Sequence, residues 1–383
     1  MVRVLLDATA IPVDRRGVGR HLDNLVPALV RAGVDVRVVC KPADRQHFAE
    51  LSANDALVAP SGTESRPARL VWEQIGLPNL VNRAAPNVLH SPHYTHPLLA
   101  RVPLVVSLYD ATFFSAAEVH TRVKGRFFRS ATRLALRRAA CCVVPSQATA
   151  DELVRAVNAD PDRLQVAYLG VDSAVFAPPS PAAMDAVRER LGLPRGSRYI
   201  AFLGTLEPRK NVPALIRGWV AACTGRDEPP ALVLAGGTGW DDQVTAAIAS
   251  VPAPLTLVRP GYVPLEELAG LLGGAAIVAY PSLAEGFGLP VLEAMACGTA
   301  VLTTRRLSLP EVGGSAVAYT EPDAESIGTA LAGLLDDPGR RAELGAAGMR
   351  RAAGFTWDAC AQSHLLAYER AVRVGRRPWR VAS

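Results

Sequence analysis

The sequence predicts an α/β protein built from two doubly wound, Rossmann-like domains, each a parallel sheet with helices on both faces. Three observations carry that expectation. Short unbroken runs of Val, Leu and Ile alternate with helical patterns along the chain. Strands buried on both faces read this way, because crossover helices cover a parallel sheet on either side. The runs fall into two series, separated by "GVDSAVFAPPSPAAM", residues 170 to 184, whose proline cluster breaks both helix and strand.

The first series is "VRVLLDAT", "VDVRVVCK", "NVLHSPH", "PLVVSLYD" and "CCVVPS"; the second is "RYIAFLGT", "ALVLAGG", "LTLVRPGYV", "AAIVAYPS" and "TAVLTT". The expected domains are residues 1–175 and 176–365, with a final helix from about 366 to 383 crossing back onto the first. Two such domains make a cleft, and doubly wound sheets bind ligands beyond the carboxyl ends of their strands. The polar and glycine-rich strand ends are therefore the candidate site: "RRGVGRH", "SPHYTH", "YDATFF", "GTLEPRKN" and "AEGFGLP".

Composition narrows the class. The chain has 383 residues, 49% hydrophobic and 20% charged, enough for two sizeable cores. Its net charge of +5 suits an anionic substrate, an acidic membrane surface or nucleic acid. Aromatics at 6% leave little for base stacking, and no nucleic-acid module is recognisable. Six cysteines form no CxxC pair and read as reduced core residues. No uncharged apolar run approaches the ~18 residues that span a bilayer. The expectation is a soluble cytoplasmic protein, at most peripheral at the inner face of a membrane.

The stretch "YPSLAEGFGLPVLEAMACGTAV" sets two carboxylates, Glu285 and Glu293, around a glycine-rich turn. A strand runs into Gly286 and Gly288, Pro290 suits a first helical turn, and Gly298 stops the helix. Glycines let backbone approach a ligand, and the helix start offers free N–H groups, so the turn is an anion site. Carboxylates on either side suit sugar hydroxyls; a plain helix start with acidic residues is the structural alternative. In "GTLEPRKN", Arg209 and Lys210 precede a helix, where the dipole disfavours cations. A guanidinium fork and an ammonium there suit a diphosphate.

With these residues the chain resembles the E-x7-E retaining glycosyltransferases, in particular glycosyltransferase family 4, and is closest to its mannosyltransferase-like bacterial members. The resemblance covers nearly the whole chain, including "GVGRH", "LGVDSAVFAPP", "FLGTLEPRKN" and "PGYVPLEEL". It implies the GT-B fold, two Rossmann-like domains facing a central cleft. It also implies retaining transfer of a hexose, mannose first, by a front-face mechanism without metal or other cofactor. The donor would be a nucleotide-diphosphate sugar, GDP-mannose or a UDP-hexose; the hydroxyl acceptor a glycan, a lipid-linked sugar or a small metabolite.

The resemblance assigns roles by position. Glu285 would touch donor-sugar hydroxyls and Glu293 the nucleotide ribose. Gly286, Phe287, Gly288 and Leu289 would bring backbone to the sugar and diphosphate, with Gly204 and Val263 also at the donor. Arg209 and Lys210 would neutralise the diphosphate. Gly17 and Gly19 would approach from the first domain, with Arg20 as an added cation or a surface charge. His93, Tyr109 and Asp110 would meet the acceptor, and domain closure would exclude water. Glu285, Arg209, Lys210 and Asp110 form the catalytic set. One position departs from the family: Tyr109 stands where histidine is common, and a phenol does not relay protons near neutral pH as imidazole does.

Other readings stay open at this point. His90, His93 and His96 in "HSPHYTH" are a metal set, acceptor contacts or loop structure. Asp110 orients the acceptor or caps the next turn. The helix "HTRVKGRFFRSATRLALRRAA" repeats Arg126, Arg129, Arg133 and Arg137 on one face. It is either a solvated face opposite a core face or a surface for anionic lipid. A nucleotide-sugar 2-epimerase or a catalytically weak sugar-nucleotide-binding protein is the functional alternative. Alanine at Arg209 or Lys210 is expected to cut turnover tenfold to a hundredfold with little change in melting temperature.

Overall fold

The computed structural model describes residues 1–12, 15, 17–115 and 122–375. The chain forms two compact units, residues 1–170 with 356–383, and residues 171–355.

The first unit holds a sheet of β1 (Arg3–Asp7), β2 (Asp35–Cys40), β3 (Leu57–Val58), β4 (Val88–Ser91), β5 (Leu104–Ser107), β6 (Cys141–Val144) and β7 (Leu164–Val166). The second holds β8 (Tyr199–Leu203), β9 (Ala231–Ala235), β10 (Leu257–Gly261), β11 (Ile277–Tyr280), β12 (Val301–Thr304) and β13 (Ala318–Thr320). Their orders are β3-β2-β1-β4-β5-β6-β7 and β10-β9-β8-β11-β12-β13. Every pairing is parallel: Val4, for example, stands opposite Val36 on one side and Val88 on the other.

All ten apolar runs are strands. The three strands that the pattern misses, β3, β7 and β13, are edges of two or three residues. Edge strands this short are only partly covered and carry no long apolar run; β10, the longer edge of the second sheet, does stand out. Each sheet reverses its order once, between β1 and β4 and between β8 and β11, and the crevice at such a reversal is where these sheets bind ligands.

The chain leaves the first unit after Gly170, not near 175, and returns at Thr356. A Cβ on Gly170 would lie 2.4 Å from the Trp357 backbone nitrogen, so the two passes of the chain touch there. The proline-rich stretch is not all linker. Pro181 opens the helix Pro181–Arg190, capped by Ser180 Oγ accepting from Ala183 N at 3.2 Å, because proline fits a first helical position. The closing helix, Trp357–Gly375, begins well before 366 and buries Cys360, His364, Ala367 and Tyr368 in the first unit. Residues 376–383 of the expected helix lie outside the described residues. All six cysteines are buried and unbonded. Among the described residues, no helix is long and apolar enough to cross a membrane.

Candidate active site

In the second unit the loops that follow β8 and β11 meet at the reversal of the sheet. A Cβ on Gly236 (φ +127°) would lie 2.2 Å from the Gly204 carbonyl oxygen, so only glycine lets the loops after β8 and β9 lie backbone against backbone. That contact seats the turn Pro208–Lys210. Asn211, in left-handed conformation, then donates from Nδ2 to Pro322 O at 2.6 Å and leads into the helix Val212–Cys223. From β11, Tyr280 runs into Pro281, Ser282 and Glu285. The two loops are tied by Leu283 N donating to Arg209 O at 2.8 Å.

Glu285 is the centre of the cluster. Its Oε1 lies 2.6 Å from Lys210 Nζ, 2.6 Å from Ser282 Oγ and 3.0 Å from Tyr280 Oη; its Oε2 accepts from Arg209 Nη1 at 2.6 Å. Lys210 Nζ also donates to Tyr280 Oη, and Arg209 Nη2 pairs with Glu207 Oε1 at 2.6 Å. A carboxylate oxygen offers two lone-pair sites, and here three donors crowd Oε1 while one meets Oε2. Burial pushes the Glu285 carboxyl up, but Arg209 and Lys210 outweigh it and hold it at about 2. Burial pulls the Lys210 ammonium down, Arg209 adds to that and Glu285 opposes it, leaving about 8. Lys210 is only 6% exposed, and breaking a buried ion pair is costly. Its loss therefore also destabilises the fold, which corrects the expectation of an unchanged melting temperature.

The rest of the glycine turn continues the site. Ser308 Oγ lies 2.8 Å from both Glu285 O and Phe287 O and holds the loop from behind. Gly288 (φ +111°) caps the helix Leu289–Ala296, with Pro290 in its first turn. Glu293 is buried inside that helix, beyond its first turn. Val263 is buried just past the end of β10. Direct contact thus joins Arg209, Lys210 and Glu285; Gly286 to Leu289 and Glu293 follow on the same loop and helix. The sequence reading missed Glu207, Tyr280, Ser282 and Ser308. The polar pair Tyr280 and Ser282, closing an otherwise apolar strand, was the available signal.

The first unit is organised differently. Gly17 (φ +32°) caps the helix Val18–Arg31, and Gly19 is buried where a Cβ would lie 3.1 Å from Arg15 Cβ. Arg15 of this loop pairs with Asp23, reaches Asp44 at 2.6 Å and lies over the Phe48 ring. The three histidines of "HSPHYTH" do not converge. His90 is core, with Ser107 Oγ and Tyr368 Oη each 2.9 Å from a ring nitrogen. His93 sits edge-on to Tyr94. Burial, with the nearby Arg69 charge, lowers its imidazole to about 4. His96 is buried with both nitrogens unpartnered. Among the described residues no three His, Cys, Asp or Glu side chains are grouped to hold a metal.

Tyr109 lies edge-on to His21, ring centres 5.4 Å apart. With Ser107 and His364 these side chains line a small cavity, and neither Tyr109 Oη nor either His21 nitrogen has a hydrogen-bond partner. Asp110 caps its own turn: Oδ1 accepts from Thr112 Oγ1 at 2.8 Å and from Thr112 N at 3.2 Å.

Comparison with known proteins agrees with this arrangement. The family model for glycosyltransferase family 4 matches residues 15–175, and that for glycosyl transferases group 1 matches residues 183–351. O-antigen chain mannosyltransferase B of Escherichia coli is 31% identical over 285 residues, 74% of either chain. The chain belongs to the group 1, family 4 glycosyltransferases. Alpha-maltose-1-phosphate synthase of Mycolicibacterium smegmatis is 30% identical to this glycosyltransferase over 92% of its chain and 95% of the relative's. Among solved structures, Anabaena HepE in complex with UDP and glucose matches with a TM-score of 0.75 at 19% identity. That match covers 96% of the glycosyltransferase and 99% of HepE. The two parallel-sheet units are those of the GT-B fold.

Proposed function

We propose that this glycosyltransferase moves a hexose, with mannose the first candidate, from a nucleotide-diphosphate sugar to a hydroxyl acceptor with retention of configuration. The observation that carries the reading is Glu285 clasped by Arg209 and Lys210 at the reversal of the second sheet. Further support comes from the mannosyltransferase relative and from HepE, whose complex holds UDP and glucose. In the reaction, the bond from the anomeric carbon to the diphosphate oxygen breaks and a bond to the acceptor oxygen forms on the same face. The acceptor proton passes to the departing diphosphate. Arg209 and Lys210 stabilise that diphosphate, supplying the neutralisation that a divalent ion would otherwise give.

Binding and sugar reading are one exchange in this scheme. Glu285 accepts from three donors on Oε1 and one on Oε2 at rest, so Oε1 is fully occupied. A diphosphate that draws Arg209 and Lys210 to itself opens Oε2 to sugar hydroxyls and relieves the crowding at Oε1. Glu293 would meet the ribose, with Phe287, Gly288, Leu289, Gly204 and Val263 framing the donor. His93, Tyr109 and Asp110 would face the acceptor.

A panel of GDP-, UDP-, dTDP- and ADP-sugars, scored by thermal shift and by release of nucleotide diphosphate, tests the reading. A donor at a thousandfold its Kd stabilises by about 4 kcal/mol. One responder whose nucleotide diphosphate is released when acceptor is added supports transfer. Interconversion of the sugar without acceptor would instead establish an epimerase, and silence across the panel would refute the donor site.

A further inference from the structure

We propose that the first unit docks on anionic lipid bilayers through the outward face of the helix Arg122–Arg138 and the groove beside it. The inward line of this helix is Gly125, Phe128, Thr132 and Ala135, with Gly125, Thr132 and Ala135 buried. A solvated outer face would be polar. Instead Val123 is 82% exposed, and Phe127 and Leu134 are exposed with it. At 3.6 residues per turn those three side chains fall within about 40° of one another, opposite the buried line. Arg126, Arg133 and Arg137 run along one side of the stripe, with Lys124 and Arg138 along the other. The helix carries seven cations and no acidic residue.

The apolar surface continues past the helix. Leu70, Leu98, Phe127, Ala131 and Leu134 line a groove shared with the helix Arg66–Ala84 and the loop after β4. Leu99, next to Leu98, is 72% exposed. The one carboxylate that lines this groove, Glu73, is buried and bound to Arg69 Nη1 at 2.8 Å, so it does not offset the cations outside. An apolar stripe between two rows of Lys and Arg matches a bilayer: anionic headgroups meet the cations and the upper acyl region takes the side chains. A soluble acidic partner would match the cations and leave Val123, Phe127 and Leu99 in water.

Sedimentation of the full chain with vesicles tests this without donor or turnover, so its outcome is independent of the proposed reaction. Vesicles of phosphatidylcholine with one third phosphatidylglycerol should bind at least tenfold more tightly than phosphatidylcholine alone, and added salt should weaken the difference. Phe127→Ser with Leu134→Ser, and separately Arg126→Glu with Arg137→Glu, should each weaken binding at least tenfold. The Arg pair is exposed, so that variant keeps the native melting temperature. No partition of the unaltered chain onto the anionic vesicles would overturn the proposal. So would partition that both variants retain, or concentration-dependent self-association in its place.

Discussion

At the carboxyl end of the second sheet, buried polar groups are charged and every one in the cluster has a partner: Glu285 meets Arg209, Lys210, Tyr280 and Ser282. At the corresponding end of the first sheet the buried charges, Asp7 and the Arg69–Glu73 pair, stand beside neutral rings of which several have no partner, His21, His96 and Tyr109 among them. Unpaired charge inside a protein is far more costly than an unpaired neutral dipole. The first unit can therefore leave rings waiting for a partner, while the second must supply its own counter-charges until an anion arrives. The contrast suits the proposed division, in which one half meets a neutral hydroxyl compound and the other a diphosphate.

The largest effect should come from breaking the charged side. Lys210→Ala removes one of the two cations on a buried carboxylate, and breaking a buried ion pair costs about 3–5 kcal/mol. Turnover should fall tenfold or more and the melting temperature several degrees, measured by steady-state release of nucleotide diphosphate and by calorimetry. Arg209→Ala, at a half-buried site, should lose comparable activity with a smaller drop in melting temperature. Equal drops would mean that exposure does not set the cost.

Glu285→Gln sharpens the same side. The amide keeps the shape and removes a counter-charge, leaving Lys210 uncompensated and Arg209 with Glu207 alone. Titration calorimetry should show nucleoside diphosphate binding several-fold more tightly, while transfer falls at least tenfold. Weaker binding would contradict the exchange of Glu285 for diphosphate.

Acid should separate the two halves. Burial, helped by the neighbouring His364, takes His21 down to about 3, and burial takes His364 to about 4, from 6.5. These groups are depressed cations: the unfolded chain binds protons that the fold refuses. Their contribution is complete above 6.5 and is lost as pH falls from 6.5 towards 4, by about 1.4 kcal/mol per pH unit for each. Glu285 falls from 4.5 to about 2, so its contribution disappears only between 4.5 and 2. Amide hydrogen exchange at pH 5 should show the first unit loosening before the second; the reverse order would refute the contrast. The smallest effect belongs to Tyr109→Phe. It deletes a buried hydroxyl without a partner, so thermal unfolding should shift by no more than about 1 kcal/mol, and towards greater stability.

Much of this was legible beforehand, and the pattern of what was not has physical causes. Nine interior strands announce themselves because both faces are covered, as in "RYIAFLGT", and the edge strand β10 does so by its length. Leu57–Val58 and Ala318–Thr320 do not, being short edges. Arg209, Lys210 and Glu285 stand out because charges beside apolar strands conflict with their surroundings. Their mutual pairing is invisible, since the two loops are 75 residues apart in sequence and meet only through the order of the strands. Glu207 and Ser308 carry no local conflict and are legible only in three dimensions. The helix after Arg122 misleads for a related reason: its cations suggest a wet outer face, and only the folded unit shows Phe127 and Leu134 left outside.

The link between Tyr368 and His90, at 2.9 Å, also bears on how the chain is made. The second unit is one continuous segment, residues 171–355, and leaves the ribosome whole. The first is begun before it yet lacks its closing helix until the whole of the second has been made. On the ribosome the order is therefore inverted: the later half completes its fold first, while the earlier half stays open along the surface that Cys360, His364 and Tyr368 will cover.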